Sequence, residues 1–526
     1  MKIDVDWSEF IVEIGKIDPL GLWKVGDRLI AELLPALSTV VQQRPARYFS
    51  MYCWLLDEAG RDLQPDTASV VFWKRFYVLE GISLCAIQSH THTYQGFGGC
   101  IGTDHAQRLI TSHDKAGNVN FSSLSKNRIR NGWEVNYKNS MLAFGLIQID
   151  HGVTSGLRLT EAGQALSKVY KQTIRYTQFY TGLRQETSLP LAVIQNLGTK
   201  ACPCLLHNAD TPELSAERDT TRSVMLAKRE LPPDAPAAEK NLWQSIHLVL
   251  HILSKMPDGI EYGLHAWRRL LSTGLLPNGQ TYKPPKEQLV LFRMWQFYAL
   301  DSLFTYALEM ALHGFLEELH AHDDMNASAV NQLFSTCAMK NKKTKIQNVV
   351  DAICEFSQAE KAEYESVLLN NLEAVTGASR AVYAFSLYCY CQACFDQLCL
   401  PDGCEEAQRF FRNLSTWDGN ELALFQATAH IKNTQATMQT FFSETFMSEW
   451  VIKRQINIRA SRNKEIGWFG YNSETKTFRW ESFNKPNLYR ADRLPNLMGF
   501  LHNMAIVSRQ NNTWYLDKSA YGDLPV

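Results

Sequence analysis

The sequence predicts a mainly α protein, a helical-bundle scaffold that carries two winged-helix-like modules of mixed α and β structure. Two observations lead to this fold class. The segment 288–320 has hydrophobic residues on nearly every side of a helix, which is typical of the buried central helix of a bundle. An order of helix, short strand, turn and strand occurs near 133–174 and again at 490–516.

Length and composition indicate a folded chain of several domains. The 526 residues are 45% hydrophobic and 20% charged, which allows about three or four domains, each with its own core. The 53 basic and 54 acidic side chains give a net charge of -1. No chain-wide positive field therefore attracts nucleic acid or anionic lipid, and any such binding depends on local patches.

The cysteines and the apolar segments indicate a cytoplasmic protein without membrane association. The first residues, MKIDVDWSEF, lack the basic start and the apolar run of a signal peptide. The most lipid-like segment, 381–395, is shorter than the roughly 20 apolar residues of a membrane span. Twelve cysteines in so long a chain are too sparse for a disulfide scaffold, so we expect thiols in a reducing compartment.

The chain divides into five predicted segments. They are an N-terminal helical region (1–105), a winged-helix-like domain (106–185), a linker-like segment (186–240), an α-helical bundle (241–447) and a basic C-terminal winged-helix-like domain (448–526). The linker is inferred from the five prolines between Thr199 and Lys240, because proline interrupts regular structure.

The N-terminal region contains a helix that Pro45 opens. Tyr48, Tyr52 and Leu55 recur along it at helical spacing and are expected to face a core. Arg47 and Met51 fall on a neighbouring stripe.

The first winged-helix-like module begins with a predicted recognition helix over 133–144. Gly145 permits a tight reversal into a strand that ends near Asp150. After a polar turn, Leu157–Leu159 predicts the returning strand, and Thr160 is the expected N-cap of the next helix. The C-terminal module repeats this order, with a helix over 490–505 and strands on either side of a turn at 510–512.

Basic residues collect near both modules, where a winged helix contacts phosphates. The local excess is four positive charges over 106–140 and five over 453–480, where aromatic residues are interleaved. Asn136 and Asn139 are candidates for reading bases, and Lys138 for contacting phosphate. The full set of expected nucleic-acid-binding residues is Arg128, Arg130, Asn136, Lys138, Asn139, Arg158, Lys453, Arg454, Arg459, Arg462, Lys464, Arg479 and Arg490.

No metal site and no cofactor is expected. The histidines and Cys100 of the glycine-rich segment 90–105 match no standard zinc spacing. Cys202, Cys204 and His207 form a weak zinc candidate. Cys391-x-x-Cys394 lies in a segment that reads as continuous helix, so its cysteines are expected in a core.

No complete catalytic motif occurs, which favours binding over catalysis. Asp301 and Glu309 interrupt the apolar surface of the long helix. With no third partner in the sequence, they are expected to be salt-bridged or exposed at a rim.

Four stretches resemble an uncharacterised bacterial family associated with mobile islands and anti-phage gene neighbourhoods. They are DPLGL at 18–22, RPARYFSMYCW at 44–54, WQFYALDSLFTYALEMAL at 295–312 and RADRLPNLMGFLHNMAIV at 490–507. The resemblance implies a bacterial protein and suggests a place in a multi-gene defence system. It carries over no catalytic residues.

The leading functional hypothesis is a DNA-binding winged-helix subunit of such a system. Winged helices also mediate protein contacts, so a scaffold for an ATPase or nuclease partner encoded nearby is an alternative. A further alternative is a nucleic-acid-processing enzyme whose site is assembled from distant segments.

Overall fold

The structure, a computed structural model, is mainly helical with a few small sheets, as the sequence predicts. Its contacts divide the chain into unit 1, Met1–Ile30 with His265–Ala491, and unit 2, Ala31–Leu264 with Asp492–Val526. The residues that the structure describes are 20, 22–34, 45–63, 69–91, 103–124, 133, 137–184, 186–226, 237–256, 258–261, 265–322, 325–326, 329, 345–398, 437, 440–441, 446–447, 451, 469–472, 475, 477–480, 486, 493–511 and 513–522.

The chain up to residue 261 forms ten described α-helices, a π-helical turn (Phe179–Leu183) and five short strands. The helices are α1 (Trp23–Leu33), α2 (Arg47–Gly60), α3 (Ser69–Ser89), α4 (Thr103–Thr111), α5 (Lys138–Ala143), α6 (Glu161–Ile174), α7 (Leu191–Ala201), α8 (Leu205–Asn208), α9 (Pro212–Leu226) and α10 (Ala237–Ser254). The strands are β1 (Asn118–Asn120), β2 (Ile147–Ile149), β3 (Leu157–Leu159), β4 (Ser188–Pro190) and β5 (Ile260–Glu261). Antiparallel pairs join β1 to β4 and β2 to β3.

Within the expected linker, 186–240, the described residues 186–226 are folded and belong to unit 2, while 227–236 lie outside the described residues. It contains α7, α8 and α9, and Leu197 and Leu214 are buried in the core. Its prolines misled the prediction because two of them stand at helix starts: Pro203 lies in the turn before α8, and Pro212 is the first residue of α9. Proline is well tolerated at those positions.

Helix α2 is buried on nearly all sides. Tyr48, Tyr52 and Leu55 face the core as predicted. Arg47 and Met51, expected on a neighbouring stripe, are equally buried. Aromatic rings from several elements pack around this helix, and Phe49 contacts Phe144 edge-to-face at 5.2 Å between ring centroids.

Unit 1 is built around the predicted long helix. Its described elements are α11 (His265–Thr273), α12 (Leu289–Ala321), β6 (Met325–Asn326), α13 (Ile346–Cys354), α14 (Gln358–Ala374), α15 (Gly377–Leu398), β7 (Phe469–Asn472) and β8 (Thr477–Trp480). Helices α12 and α15 approach closely at Gly314, where an added Cβ would lie 2.5 Å from the carbonyl oxygen of Gly377. The small sheet has the order β6-β8-β7.

Two carboxylates lie within the buried surface of α12. Asp301 is 2% exposed and Glu309 is 1% exposed, so neither sits at a rim. Burial raises the pKa of Asp301 to about 8, and the neighbouring Asp27 adds to the shift. Asp301 is therefore protonated at neutral pH.

The chain returns to unit 2 with α16 (Leu494–Asn503), β9 (Val507–Gln510), β10 (Thr513–Leu516) and α17 (Lys518–Gly522). These strands form a sheet with the order β5-β10-β9. Strand β10 therefore pairs with β5, which precedes the whole of His265–Ala491 in sequence. The sheet thus joins the two parts of unit 2, Ala31–Leu264 and Asp492–Val526, between which His265–Ala491 is inserted.

The two predicted helix and hairpin modules share the same local geometry. Gly145 and Ala505 both have positive φ, 59° and 53°. One residue later, the amide of Leu146 donates to Met141 (2.9 Å) and that of Ile506 donates to Leu501 (3.0 Å). This hydrogen bond closes each helix as in a Schellman motif. The two segments with the same order of elements therefore also share the turn between the helix and the first strand.

No described helix combines the length and the apolar composition that a membrane crossing requires.

Candidate functional site

The expected recognition helix of the first module offers a narrow surface. Its described part comprises Trp133 and α5. Within that part Asn139 is exposed and Lys138 is half-buried, as expected of outward side chains, but the next residue, Ser140, is buried. The ring of Tyr137 packs at 4.5 Å from that of Tyr52 on α2. A helix held in this way presents little surface to a DNA groove.

The hairpin of this module carries one of the expected residues. Arg158 on β3 is 56% exposed, and its guanidinium forms a 2.7 Å ion pair with Asp150. Part of its charge is therefore satisfied within the hairpin. Thr160 caps α6 as predicted, since its Oγ1 accepts a hydrogen bond from the amide of Gly163.

Helix α16 of the second module faces inward. All ten of its residues are described, and each is buried or half-buried. Its C-terminal turn is fixed by Arg222, whose guanidinium donates to the carbonyls of Met504 and Ala505 at 2.7 and 3.0 Å. A helix without an exposed face cannot read bases in a groove. The C-terminal module therefore offers no exposed recognition surface on α16.

Most of the other expected nucleic-acid-binding residues lie outside the described part of the chain. Arg479 is exposed on β8. Phe469 and Phe478, two of the interleaved aromatics, are buried and pack against Phe315 of α12, so they belong to a core. The residues outside the described part of the chain are Arg128, Arg130, Asn136, Lys453, Arg454, Arg459, Arg462, Lys464 and Arg490.

A basic and aromatic surface lies instead along α6 and the turn that follows it. We call it the α6 patch and define it as Lys168, Arg175, Tyr176, Tyr180 and Arg184. The buried face of α6 contains Leu166 and Tyr170. Lys168 on α6 and Arg175, its C-cap, are both exposed and lie seven residues apart, which is about two helical turns.

Each tyrosine of the α6 patch is paired with an arginine. The guanidinium carbon of Arg175 lies 4.5 Å from the ring centroid of Tyr176, which is 72% exposed. That of Arg184 lies 5.4 Å from the ring of Tyr180. Arg184 also lies 3.7 Å from the carboxylate of Glu58. Within the described residues, Lys168 and Arg175 form no ion pair, so their charges remain available to a ligand.

The sequence contained the signal for the α6 patch. The run KVYKQTIRYTQFYTGLR at 168–184 interleaves basic and aromatic residues.

A buried ion pair lies at the centre of unit 2. Arg47 and Glu217 are both fully buried, and two guanidinium nitrogens donate to the two carboxylate oxygens at 3.0 and 2.9 Å. Ser50 and Thr173 donate to the same carboxylate. Burial alone lowers the pKa of Arg47, but Glu217 outweighs it and the pKa is raised. Each carboxylate oxygen of Glu217 thus accepts two hydrogen bonds.

Arg47 also fixes the turn between α7 and α8. Its guanidinium donates to the carbonyls of Lys200 and Cys202 at 2.7 and 2.6 Å. The Asn503 side chain donates to the carbonyl of Pro203 at 3.1 Å. Side chains from α2 and α16 thus hold the Cys202-Pro203-Cys204 turn in place.

Three potential metal ligands meet at this turn. The ligand atoms of His90, Cys202 and Cys204 all lie within 4.8 Å of one another. The Sγ of Cys204 lies 3.4 Å from Nδ1 of His90. The cluster combines members of two groups that the sequence analysis judged separately, the glycine-rich segment and the Cys202–His207 group.

Several other expected ligands are not part of this cluster. His207 turns its Nδ1 to the carbonyl of His502 at 2.7 Å. His92 and Cys100 lie outside the described residues. On α15, Cys389, Cys391 and Cys394 are buried in a continuous helix, which confirms that they are core cysteines. Burial raises the pKa of Cys389 to about 12, so it is a thiol at neutral pH.

No protein-family model, no curated protein and no solved structure matches this chain.

Proposed function

We propose that the protein is a DNA-binding subunit that contacts DNA through the α6 patch. The observation that carries the proposal is the pair of Arg175 and Tyr176, a guanidinium stacked on a largely exposed ring. Aromatic rings beside basic side chains are used to stack unpaired bases while neutralising phosphates.

The exposure of Tyr176 favours a ligand-binding role over a packing role. Large aromatic side chains are usually buried, since they gain much of their stabilisation from removal from water. A ring that stays 72% exposed and carries an arginine on its face is ready to stack without a rearrangement. Lys168 and Arg175 add two exposed positive charges that form no ion pair with any described residue.

The proposal favours single-stranded over double-stranded DNA. A winged helix reads a duplex groove with a recognition helix that has an exposed face. Helix α5 shows one exposed residue and α16 shows none. We retain the winged-helix-like description for both modules as part of the proposal, with the helices packed into unit 2. A cytoplasmic location and a role in bacterial anti-phage defence are further parts of it, and they rest on the sequence alone.

Charge reversal tests the patch. The double variant Lys168→Glu/Arg175→Glu is expected to weaken binding of a labelled single-stranded oligonucleotide by roughly tenfold or more at low salt, because two phosphate contacts are lost. Tyr176→Ala is expected to lose about 1–3 kcal/mol of single-strand affinity and to change duplex binding little. Fluorescence anisotropy measures the single-strand affinities of the unaltered protein and of both variants, and the duplex affinity of Tyr176→Ala.

The matched control is Lys255→Glu/Lys518→Glu. Both lysines are exposed and belong to unit 2, so the control changes the net charge by the same amount. Equal loss in both double variants would show that affinity follows net charge and that the patch is not the contact surface. Absence of DNA binding by the unaltered protein would favour the protein-scaffold alternative.

A further inference from the structure

We infer that His90, Cys202 and Cys204 form a binding site for a zinc ion, with the fourth coordination position left to water or another exogenous ligand. The site would lie in unit 2, where the end of α3 meets the turn between α7 and α8. It is independent of the α6 patch and of DNA binding.

The spacing of the three ligand atoms suits a tetrahedral ion. With Zn–S of about 2.3 Å and Zn–N of about 2.0–2.1 Å, two ligands of a tetrahedron lie about 3.6–3.8 Å apart. The observed 3.4 Å between Cys204 Sγ and His90 Nδ1 is close to that edge. No two ligand atoms of the cluster lie more than 4.8 Å apart. Small side-chain rotations would therefore bring all three to the distances of a tetrahedral zinc site.

The ligand types select the metal. Thiolate and imidazole together favour zinc over magnesium or calcium, which prefer oxygen ligands. Sites with two cysteines and one histidine are known for zinc with an open fourth position. Both cysteines are fully buried. A bound divalent cation would supply the charge that stabilises two adjacent thiolates.

The backbone around the cysteines is fixed before any ion binds. The carbonyls from Lys200 to Pro203 each accept a hydrogen bond from a side chain of another element: Arg47 serves Lys200 and Cys202, Tyr170 serves Ala201, and Asn503 serves Pro203. Such outer contacts orient metal ligands.

The approach of α3 to α7 is also fixed. An added Cβ at Gly198 would lie 2.2 Å from the carbonyl oxygen of Ala86 and 3.4 Å from Cβ of His90. Glycine at this position therefore lets the end of α3 reach the turn. The two helices place the imidazole beside the thiols without help from an ion.

Metal analysis of the full-length protein tests the inference. The chain is purified under reducing conditions, and zinc is measured by mass spectrometry. We expect about one zinc ion per chain. After chelation and addition of Co²⁺ alone, the visible spectrum should show the strong d–d bands of a four-coordinate ion and a thiolate charge-transfer band. Cys202→Ser, Cys204→Ser and His90→Ala should each reduce the bound metal at least tenfold.

The control is Cys85→Ser. It removes a buried cysteine on α3 that is not part of the cluster, so the metal content should stay unchanged. Wild-type protein that contains no zinc and gives no four-coordinate cobalt spectrum would overturn the inference. Retention of the metal by the three ligand variants would overturn it as well. If a ligand variant fails to fold, the cobalt spectrum of the wild-type protein still decides.

Discussion

Replacing Arg47 by methionine is expected to destabilise unit 2 by about 3–5 kcal/mol, because it leaves the buried carboxylate of Glu217 without its counter-charge. Glu217 would keep the hydroxyl donors of Ser50 and Thr173 but lose two charged donors. The carbonyls of Lys200 and Cys202 would lose theirs at the same time. In calorimetry we expect the unfolding transition of unit 2 to fall by roughly 10 °C.

A second variant separates the charge from the packing. Arg47→Met/Glu217→Gln removes both charges, and we expect it to recover a large part of the lost stability, since replacing a whole buried pair is often close to neutral. Arg108→Met on α4, where the side chain is exposed, is the control and should change stability by about 0.5 kcal/mol or less. If Arg47→Met were as stable as Arg108→Met, the result would contradict a stabilising role of the ion pair.

Replacing Asp301 by asparagine is expected to stabilise unit 1, and the gain should grow with pH. In the unfolded chain this carboxyl has its ordinary pKa, whereas burial raises its pKa in the folded protein to about 8. Below the unfolded pKa both states are protonated and the group has no effect. As the pH rises from there to about 8, the unfolded state releases a proton that the folded state keeps, so folding stability falls. At pH 7 the loss is about 4 kcal/mol.

Asparagine mimics the protonated acid and cannot ionise, so the variant should not show this loss. Thermal unfolding at several pH values should give a difference between variant and wild type that shrinks toward zero near pH 4. Asp351→Asn, on an exposed position of α13, should show no such trend. A difference that does not depend on pH would contradict a buried, protonated Asp301.

Local signals explain what the sequence could predict. The apolar surface of 288–320 predicted α12 almost to the residue, because a helix that is hydrophobic on all sides can only be buried. The hairpins followed from a turn residue after a helix and, in the first module, from Thr160 as an N-cap. In the second module Ala505 adopts the positive φ that glycine has in the first, which local sequence alone does not reveal.

Long-range contacts explain what the sequence could not predict. Arg47 was read as a residue beside the core, because its partner Glu217 is 170 positions away. His90 and Cys204 are 114 positions apart, so spacing rules for zinc ligands could not join them. The burial of α16 could not be predicted for the same reason, since Phe49 and Phe144, which pack against its Phe500, are distant in sequence.

DNA binding itself is the most direct test of the account. The measurement is the dissociation constant of the unaltered full-length protein for a labelled single-stranded oligonucleotide, taken by anisotropy from about 50 to 200 mM salt. The account predicts measurable binding at low salt and a linear decrease of log affinity with log salt, because contacted phosphates release counterions. It also predicts a slope that falls by about one or two when Lys168 and Arg175 are reversed. No binding at low salt, or an affinity that does not change with salt, would contradict it.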